Sequence, residues 1–166
     1  MRETLIVLNE LEATGFIRRY AIGGAMAAVF YVQPFETEDL GIMLLLPPIA
    51  SELAPLSNIY AELERRGFQP DGPYIKVHGI PVQFLVAYNL LVEEAVEQAV
   101  EVPYADTEAR VIGAEHLTAI MVDTGRYKDR ARFEQMFREA SLHKAKLSGI
   151  ITRFGLSERY RQWTQP

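Results

Sequence analysis

The residues best placed to do chemistry are a glycine pair and a lone aspartate, each next to an apolar segment. Gly23 and Gly24 follow the apolar residues 20–22, and Asp39 precedes the apolar residues 40–46. Glycines at the start of a helix leave backbone N–H groups unobstructed, and anions are favoured there. A carboxylate at the next strand could hold Mg²⁺ against a bound triphosphate. This order of residues predicts a site for phosphate chemistry.

Only part of a metal site is present in that segment. Carboxylates two residues apart on a strand point to the same face and can share a cation. The sequence reads Asp39-Leu40-Gly41, so the same-face partner of Asp39 has no side chain. Only Asp39 of this pair can therefore ligate a metal ion.

Composition limits the class of protein. The chain has 166 residues, of which 49% are hydrophobic and 23% charged, and this suits one compact globular domain. It contains no cysteine, which excludes disulfides, thiolate catalysis and cysteine-ligated zinc. No segment approaches the roughly 18 apolar residues of a membrane span. We expect a cytoplasmic protein with no membrane association.

Charge is distributed unevenly along the chain. Residues 1–125 hold 7 basic and 18 acidic groups, whereas residues 126–166 hold 10 basic and 4 acidic groups. Such asymmetry can mark a surface that meets nucleotide or RNA, although solvated helix faces also produce it. We expect a main domain over residues 1–125 and a basic helical segment over residues 126–166 packed on it.

The periodicity of apolar residues predicts an α+β (α/β) fold, with a mixed sheet flanked by helices and a helical C-terminal tail. Strands are expected at residues 16–22, 40–46, 74–78, 80–87 and 109–112. Helices are expected at residues 3–14, 24–33, 49–66, 89–101, 113–124, 128–140 and 146–163.

Five short strings occur in a fixed order along the chain: G-G-A-M-A, T-E-D-L-x-I, I-P-V-x-F-L-V-A-Y-N, E-H-L-T-A-I and G-R-Y-K-D. Together they resemble the minimal nucleotidyltransferases of the DNA polymerase β superfamily. The resemblance spans residues 18–135 and is strongest for bacterial and archaeal members related to nucleotidyltransferase toxins. The resemblance implies a nucleotidyltransferase-like sheet and transfer of a nucleoside monophosphate from an NTP to a hydroxyl. Three carboxylates on that sheet would hold two Mg²⁺ ions.

The resemblance also assigns roles to individual residues. Gly23 and Gly24 match the phosphate-contacting pair, and Asp39 matches the first carboxylate, which is both catalytic and a metal ligand. Gly41 stands where the second carboxylate belongs, and Gln83 stands where the third belongs. With one carboxylate of three, Mg²⁺ binding is expected to be weak or absent.

Further positions follow from the same resemblance and from burial. Arg126 and Lys128 match a basic segment of the family and are expected to contact nucleotide, whereas Met121 replaces a frequent lysine. Gln83 interrupts a buried strand, so its amide is expected to face Asp39 across the site. Alternatively, it faces water on an edge strand.

The three histidines have no spacing typical of metal ligands. They are His78, His116 and His143, and they are scattered over different elements. We expect them at the surface or at helix caps.

Three hypotheses for function remain open at the level of sequence. The first is a nucleotidyltransferase-fold pseudoenzyme that binds nucleotide, RNA or a protein partner. The second is an active, Mg²⁺-dependent, toxin-like transferase that modifies an RNA or protein hydroxyl, with Asp39 assisted by Glu36, Glu38 or Asp129. The third is a structural or oligomerising domain with an empty cleft. The oligomeric state is left open.

Overall fold

The computed structural model describes residues 1–48 and 53–165, and within these it contains one mixed seven-stranded sheet flanked by eight helices. The strands are β1 (Arg19–Ile22), β2 (Leu40–Leu45), β3 (Gln69–Asp71), β4 (Tyr74–Val77), β5 (Ile80–Val86), β6 (Val100–Tyr104) and β7 (Thr107–Val111). The helices are α1 (Arg2–Ala13), α2 (Gly24–Ala28), α3 (Ser57–Arg65), α4 (Leu90–Glu97), α5 (Ala114–Thr124), α6 (Tyr127–Glu139), α7 (Lys144–Arg153) and α8 (Ser157–Thr164). This confirms the predicted α+β class with a mixed sheet.

The strand order is β3-β4-β5-β2-β1-β7-β6, so β2 lies at the centre. It pairs antiparallel with β1 and parallel with β5. The hairpin of β4 and β5 turns at His78 and Gly79, whose φ angles are 50° and 81°. Two consecutive left-handed residues are what a tight hairpin turn requires, so the glycine predicted there has a structural role.

Helix α5 is the most deeply buried helix of the described chain. Residues 114–122 of this helix are all buried, because helices α2, α4, α6 and α7 pack against it. Helix α1 covers another part of the core and buries Leu5, Leu8 and Leu11, at the helical spacing seen in the sequence.

Two of the predicted helices differ from those in the structure. The helix predicted at 24–33 ends at Ala28, after which i to i+3 hydrogen bonds tighten the chain through Tyr31. The helix predicted at 146–163 is instead the two helices α7 and α8. The chain turns between them at Gly155, whose φ is 69°.

The other differences lie in short elements. The sequence pattern does not predict strands β3 and β6, and only residues 100 and 101 of β6 fall within the helix predicted at 89–101. Of the helix predicted at 49–66, residues 49–52 lie outside the described residues, and α3 begins at Ser57. Within the described chain, no helix is both long enough and apolar enough to cross a membrane.

Candidate functional site

The glycine pair forms the sharp turn between β1 and α2. Gly24 has φ of 60°, a left-handed conformation that favours glycine. The N–H of Gly23 donates a hydrogen bond of 2.9 Å to the carbonyl oxygen of Gly41. A Cβ atom at Gly23 would lie only 2.9 Å from Cγ of Met43, so this position has no room for a side chain. Packing therefore favours glycine at position 23, and backbone conformation favours it at position 24. Helix α2, which follows the turn, has only five residues.

The three positions that the sequence analysis placed at the metal site lie together. Gly41 of β2 and Gln83 of β5 are direct partners in the parallel register. Asp39 immediately precedes β2, and its alternation places it on the same face as Gly41. Because β5 lies between β4 and β2, Gln83 is on an inner strand, and the edge-strand alternative is wrong.

The residues at this corner do not fit a pair of Mg²⁺ ions. Asp39 is half-buried, while Glu36 and Glu38 are exposed. Among the residues that the structure describes, no group of three or more acidic or histidine side chains could hold a metal ion. Two magnesium ions require many oxygen ligands and compensating negative charge, and the described corner supplies one carboxylate.

Beside this corner is a cavity of about 440 Å³ between the sheet and helices α5 and α6, called here the α5 cavity. Its floor is apolar and is formed by Met43, Leu85, Ile112, Leu117, Ile120 and Met121. Gly24 and polar residues surround the floor, and the polar residues are Tyr88, Asp123, Thr124, Arg126, Asp129 and Arg132. An apolar floor with a few polar groups around it is typical of a small-molecule site.

Asp129 organises the polar rim of the α5 cavity. It is only 4% exposed, and its Oδ2 accepts hydrogen bonds from Thr124 Oγ1 at 2.7 Å and from Arg126 Nε at 2.6 Å. Arg132 Nη1 lies 3.8 Å from its Oδ1. The hydrogen bond with Asp129 raises the pKa of Arg126 above its ordinary value. One buried carboxylate therefore holds both arginines of the rim.

Tyr88 and Asp123 form the other side of the rim, and Asn89 lies beside them. Asn89 caps α4 and donates a hydrogen bond of 2.9 Å from Nδ2 to Asp123 Oδ2. Tyr88 is 56% exposed. Partial burial raises the pKa of Tyr88, and the negative charge of Asp123 raises it further. Tyr88 thus remains a neutral phenol at physiological pH.

The predicted site residues divide between the corner and the cavity. Gly24 and Arg126 line the α5 cavity, whereas Asp39 and Gln83 lie outside its lining. Lys128 is exposed on α6 and also lies outside it. Sequence reasoning missed Tyr88 and Asp123. The available signal is that Tyr88 precedes the helix cap Asn89 and that Asp123 lies two residues before Gly125, where α5 ends.

Helix α6 also holds the loop that leads to Asp39. The N–H of Gln33 donates a hydrogen bond of 3.0 Å to Glu139 Oε2, and Gln135 Nε2 donates one of 3.4 Å to the Gln33 carbonyl oxygen. The Arg132 guanidinium lies over the ring of Phe35, 5.9 Å from its centroid. The same helix therefore walls the cavity and anchors this loop.

His116 corrects the expectation that all three histidines lie at the surface or at caps. It is 1% exposed on α5, and its Nε2 lies 2.8 Å from Glu94 Oε1, an oxygen that also accepts a hydrogen bond from Arg153. Its Nδ1 has no hydrogen-bond partner among the described residues. His143 does cap a helix, because its ring accepts a hydrogen bond from Lys146 N.

Several basic side chains of the C-terminal helices bind groups within the protein. Lys146 Nζ lies 3.2 Å from Glu115, and Arg153 pairs with Glu94. Arg159 donates hydrogen bonds to the carbonyl oxygens of Val122 and Asp123 at the end of α5. The basic C-terminal helices thus bind acidic and carbonyl groups of the preceding elements, which reduces the basic surface left to meet RNA.

Comparison with known proteins identifies the fold. No protein-family model and no curated protein matches the sequence. An antigenic nucleotidyltransferase-like protein from Paracoccidioides brasiliensis is similar in structure, with a TM-score of 0.54, 12% identity and coverage of 94% of this chain and 89% of that chain.

A second similar structure is ANT(2″)-Ia in complex with adenylyl-2″-tobramycin. Its TM-score is 0.53 and its identity 14%, over 96% of this chain and 95% of that chain. At such low identity the likeness concerns the fold alone, but it extends over nearly the whole length of both proteins. The chain therefore has a nucleotidyltransferase-like fold.

Proposed function

We propose that this protein binds a nucleotide and has lost two-metal nucleotidyl transfer. The fold supports a nucleotide as the ligand, since one similar structure contains an adenylylated product. The α5 cavity, which opens beside the glycine turn, supplies a site of suitable size. The partner is proposed to be a nucleotide rather than RNA, because several basic groups of the C-terminal helices are engaged within the chain.

The observation that carries this proposal is the pairing of Gly41 with Gln83 at the position where the resemblance expects two carboxylates. The strand register brings these two residues side by side, so both replacements fall at the same point of the sheet. A neutral amide and a hydrogen atom cannot compensate the four positive charges of two Mg²⁺ ions. Nucleotide binding does not depend on that compensation, whereas transfer through two metals does.

Two measurements on the full-length protein test the proposal. The first is the melting temperature with each of the four NTPs, and the second is transfer of labelled nucleoside monophosphate to tRNA and protein in the presence of Mg²⁺. We expect at least one NTP to raise the melting temperature, and no turnover above background.

Each of the other outcomes favours one of the remaining hypotheses. Robust transfer that Asp39→Ala abolishes would refute the proposed loss of activity and favour the toxin-like transferase. If no NTP shifts the melting temperature at saturating concentration, the cleft is empty and a structural role is favoured. Asp71→Ala is the matched control for Asp39→Ala, because Asp71 is an exposed aspartate of the edge strand β3 and lies outside the cavity.

A further inference from the structure

We infer that the α5 cavity recognises the base of a nucleoside, and that binding requires neither the phosphates nor a divalent cation. This inference rests on the proposed function and specifies which part of the nucleotide the protein reads. It is argued from the floor of the cavity, from the charge of its rim and from the corner beside it.

The floor of the cavity suits a planar heteroaromatic ring. Six of its lining residues are aliphatic or thioether side chains, including Met43 and Met121. Thioether sulfur makes favourable contacts with aromatic rings, and the faces of a base are the least polar part of a nucleotide. Phosphate oxygens placed on this floor would lose their hydration without gaining hydrogen-bond donors.

The rim does not supply the positive charge that a triphosphate needs. Its two cations, Arg126 and Arg132, both pair with Asp129, and Asp123 adds a second negative charge. The formal charge of these four groups is therefore zero. Hydroxyl, carboxylate and guanidinium groups around an apolar floor can instead meet the polar edge of a neutral base.

The neighbouring corner gives phosphates little further support. Helix α2 has five residues, so few aligned peptide dipoles face an anion at the glycine turn. No cluster of three metal-ligating side chains occurs in the described chain to bridge phosphates through a cation. The base would thus be held in the cavity while the phosphates remain in solvent.

The test is calorimetric titration of the full-length protein with the four nucleosides and their triphosphates. Each titration is performed with Mg²⁺ and again with EDTA. We expect at least one nucleoside to bind within about threefold of its triphosphate, without a change when Mg²⁺ is removed. If a triphosphate with Mg²⁺ binds more than about tenfold tighter than its nucleoside, the inference is overturned while the proposed function stands. Absence of binding by both kinds of ligand overturns both.

Two variants locate the site. Leu85→Trp places a large side chain in the cavity and should weaken nucleoside binding by about tenfold or more. Leu90→Trp is its matched control, because Leu90 is 71% exposed and lies outside the cavity. Asp123→Asn gives the rim a net positive charge and should raise the affinity for triphosphate relative to nucleoside by about threefold. If the ratio of triphosphate affinity to nucleoside affinity is the same in Asp123→Asn as in wild type, the charge argument is contradicted. This test does not depend on whether Leu85→Trp folds.

Discussion

Carboxylates introduced at positions 41 and 83 should create a divalent-metal site beside Asp39, where the described residues contain no group of three metal-ligating side chains. The double variant Gly41→Asp/Gln83→Asp places two acids on register partners, beside Asp39. Gly41 accepts a side chain without strain, because its φ is not in the left-handed region. The nearest atoms to an added Cβ there are O and C of Gly23, at 3.7 and 4.0 Å, which is ordinary van der Waals contact.

The size of the effect follows from the spacing of parallel strands. Register partners lie about 4.8 Å apart. Two carboxylates about 5 Å apart repel by about 1 kcal/mol at the dielectric constant of water and by about 3 kcal/mol at an effective value of 20. For a domain of this size, a loss of about 1–3 kcal/mol lowers the melting temperature by about 2–12 °C. A metal ion at 100 times its Kd would return about 2.7 kcal/mol, or about 5–11 °C.

The assay is thermal unfolding of wild type and double variant in EDTA and in increasing Mg²⁺ or Mn²⁺. We expect the metal to stabilise the double variant and to leave the wild type unchanged within about 1 °C. The matched control is Gly41→Asn/Gln83→Asn, which has nearly the same shape without the charge. If the metal raises the melting temperature of wild type and double variant equally, the residues at positions 41 and 83 do not determine metal binding, and the argument is refuted.

Two further predictions concern stability. Gly125→Ala should lower the free energy of unfolding by about 1–2 kcal/mol, because φ of Gly125 is 64° and an added Cβ would lie 2.9 Å from Nη1 of Arg159. Gly149→Ala is its control within α7, where an added Cβ would have no atom within 4 Å. That substitution should leave the free energy of unfolding unchanged or raise it by up to about 1 kcal/mol. Urea unfolding measures both, and equal effects would contradict the argument. Hydrogen bonds from two neighbouring arginines lower the pKa of Glu62 from 4.5 to about 2, so the stability it contributes is present above pH 4.5 and is lost as the pH falls towards 2. Urea midpoints measured across this range should therefore fall more steeply for wild type than for Glu62→Gln, and parallel curves would refute the assignment.

The elements that the sequence predicted well are those with strong local signals. Helix α1 has apolar residues at helical spacing and ends before Gly15, and the β4–β5 hairpin has a glycine at its turn. The closeness of Gly41 and Gln83 was also predictable, because the resemblance assigns both positions to one site. These features could be predicted either from a short stretch of sequence or from the resemblance to a known fold.

The features that escaped prediction depend on contacts distant in sequence. Strand β6 has mostly exposed residues and forms because β7 pairs with it, which propensity within residues 100–104 does not reveal. His116 can be buried because Glu94 of α4 is its hydrogen-bond partner, and the sequence of α5 alone does not indicate this partner. The cavity rim escaped for the same reason, since Tyr88 and Asp123 meet only after α4 and α5 have packed.

The anchoring of residues 33–35 by α6 has a consequence for dissecting this protein. Glu139, Gln135 and Arg132 reach back across more than half the chain to fix a segment just before β2. A fragment cut at the predicted boundary after residue 125 would lose those three tethers, together with the Asp129 wall of the cavity. Ligand studies on such a fragment would report a site with an open side, so the polypeptide used to assay the cleft must include α6.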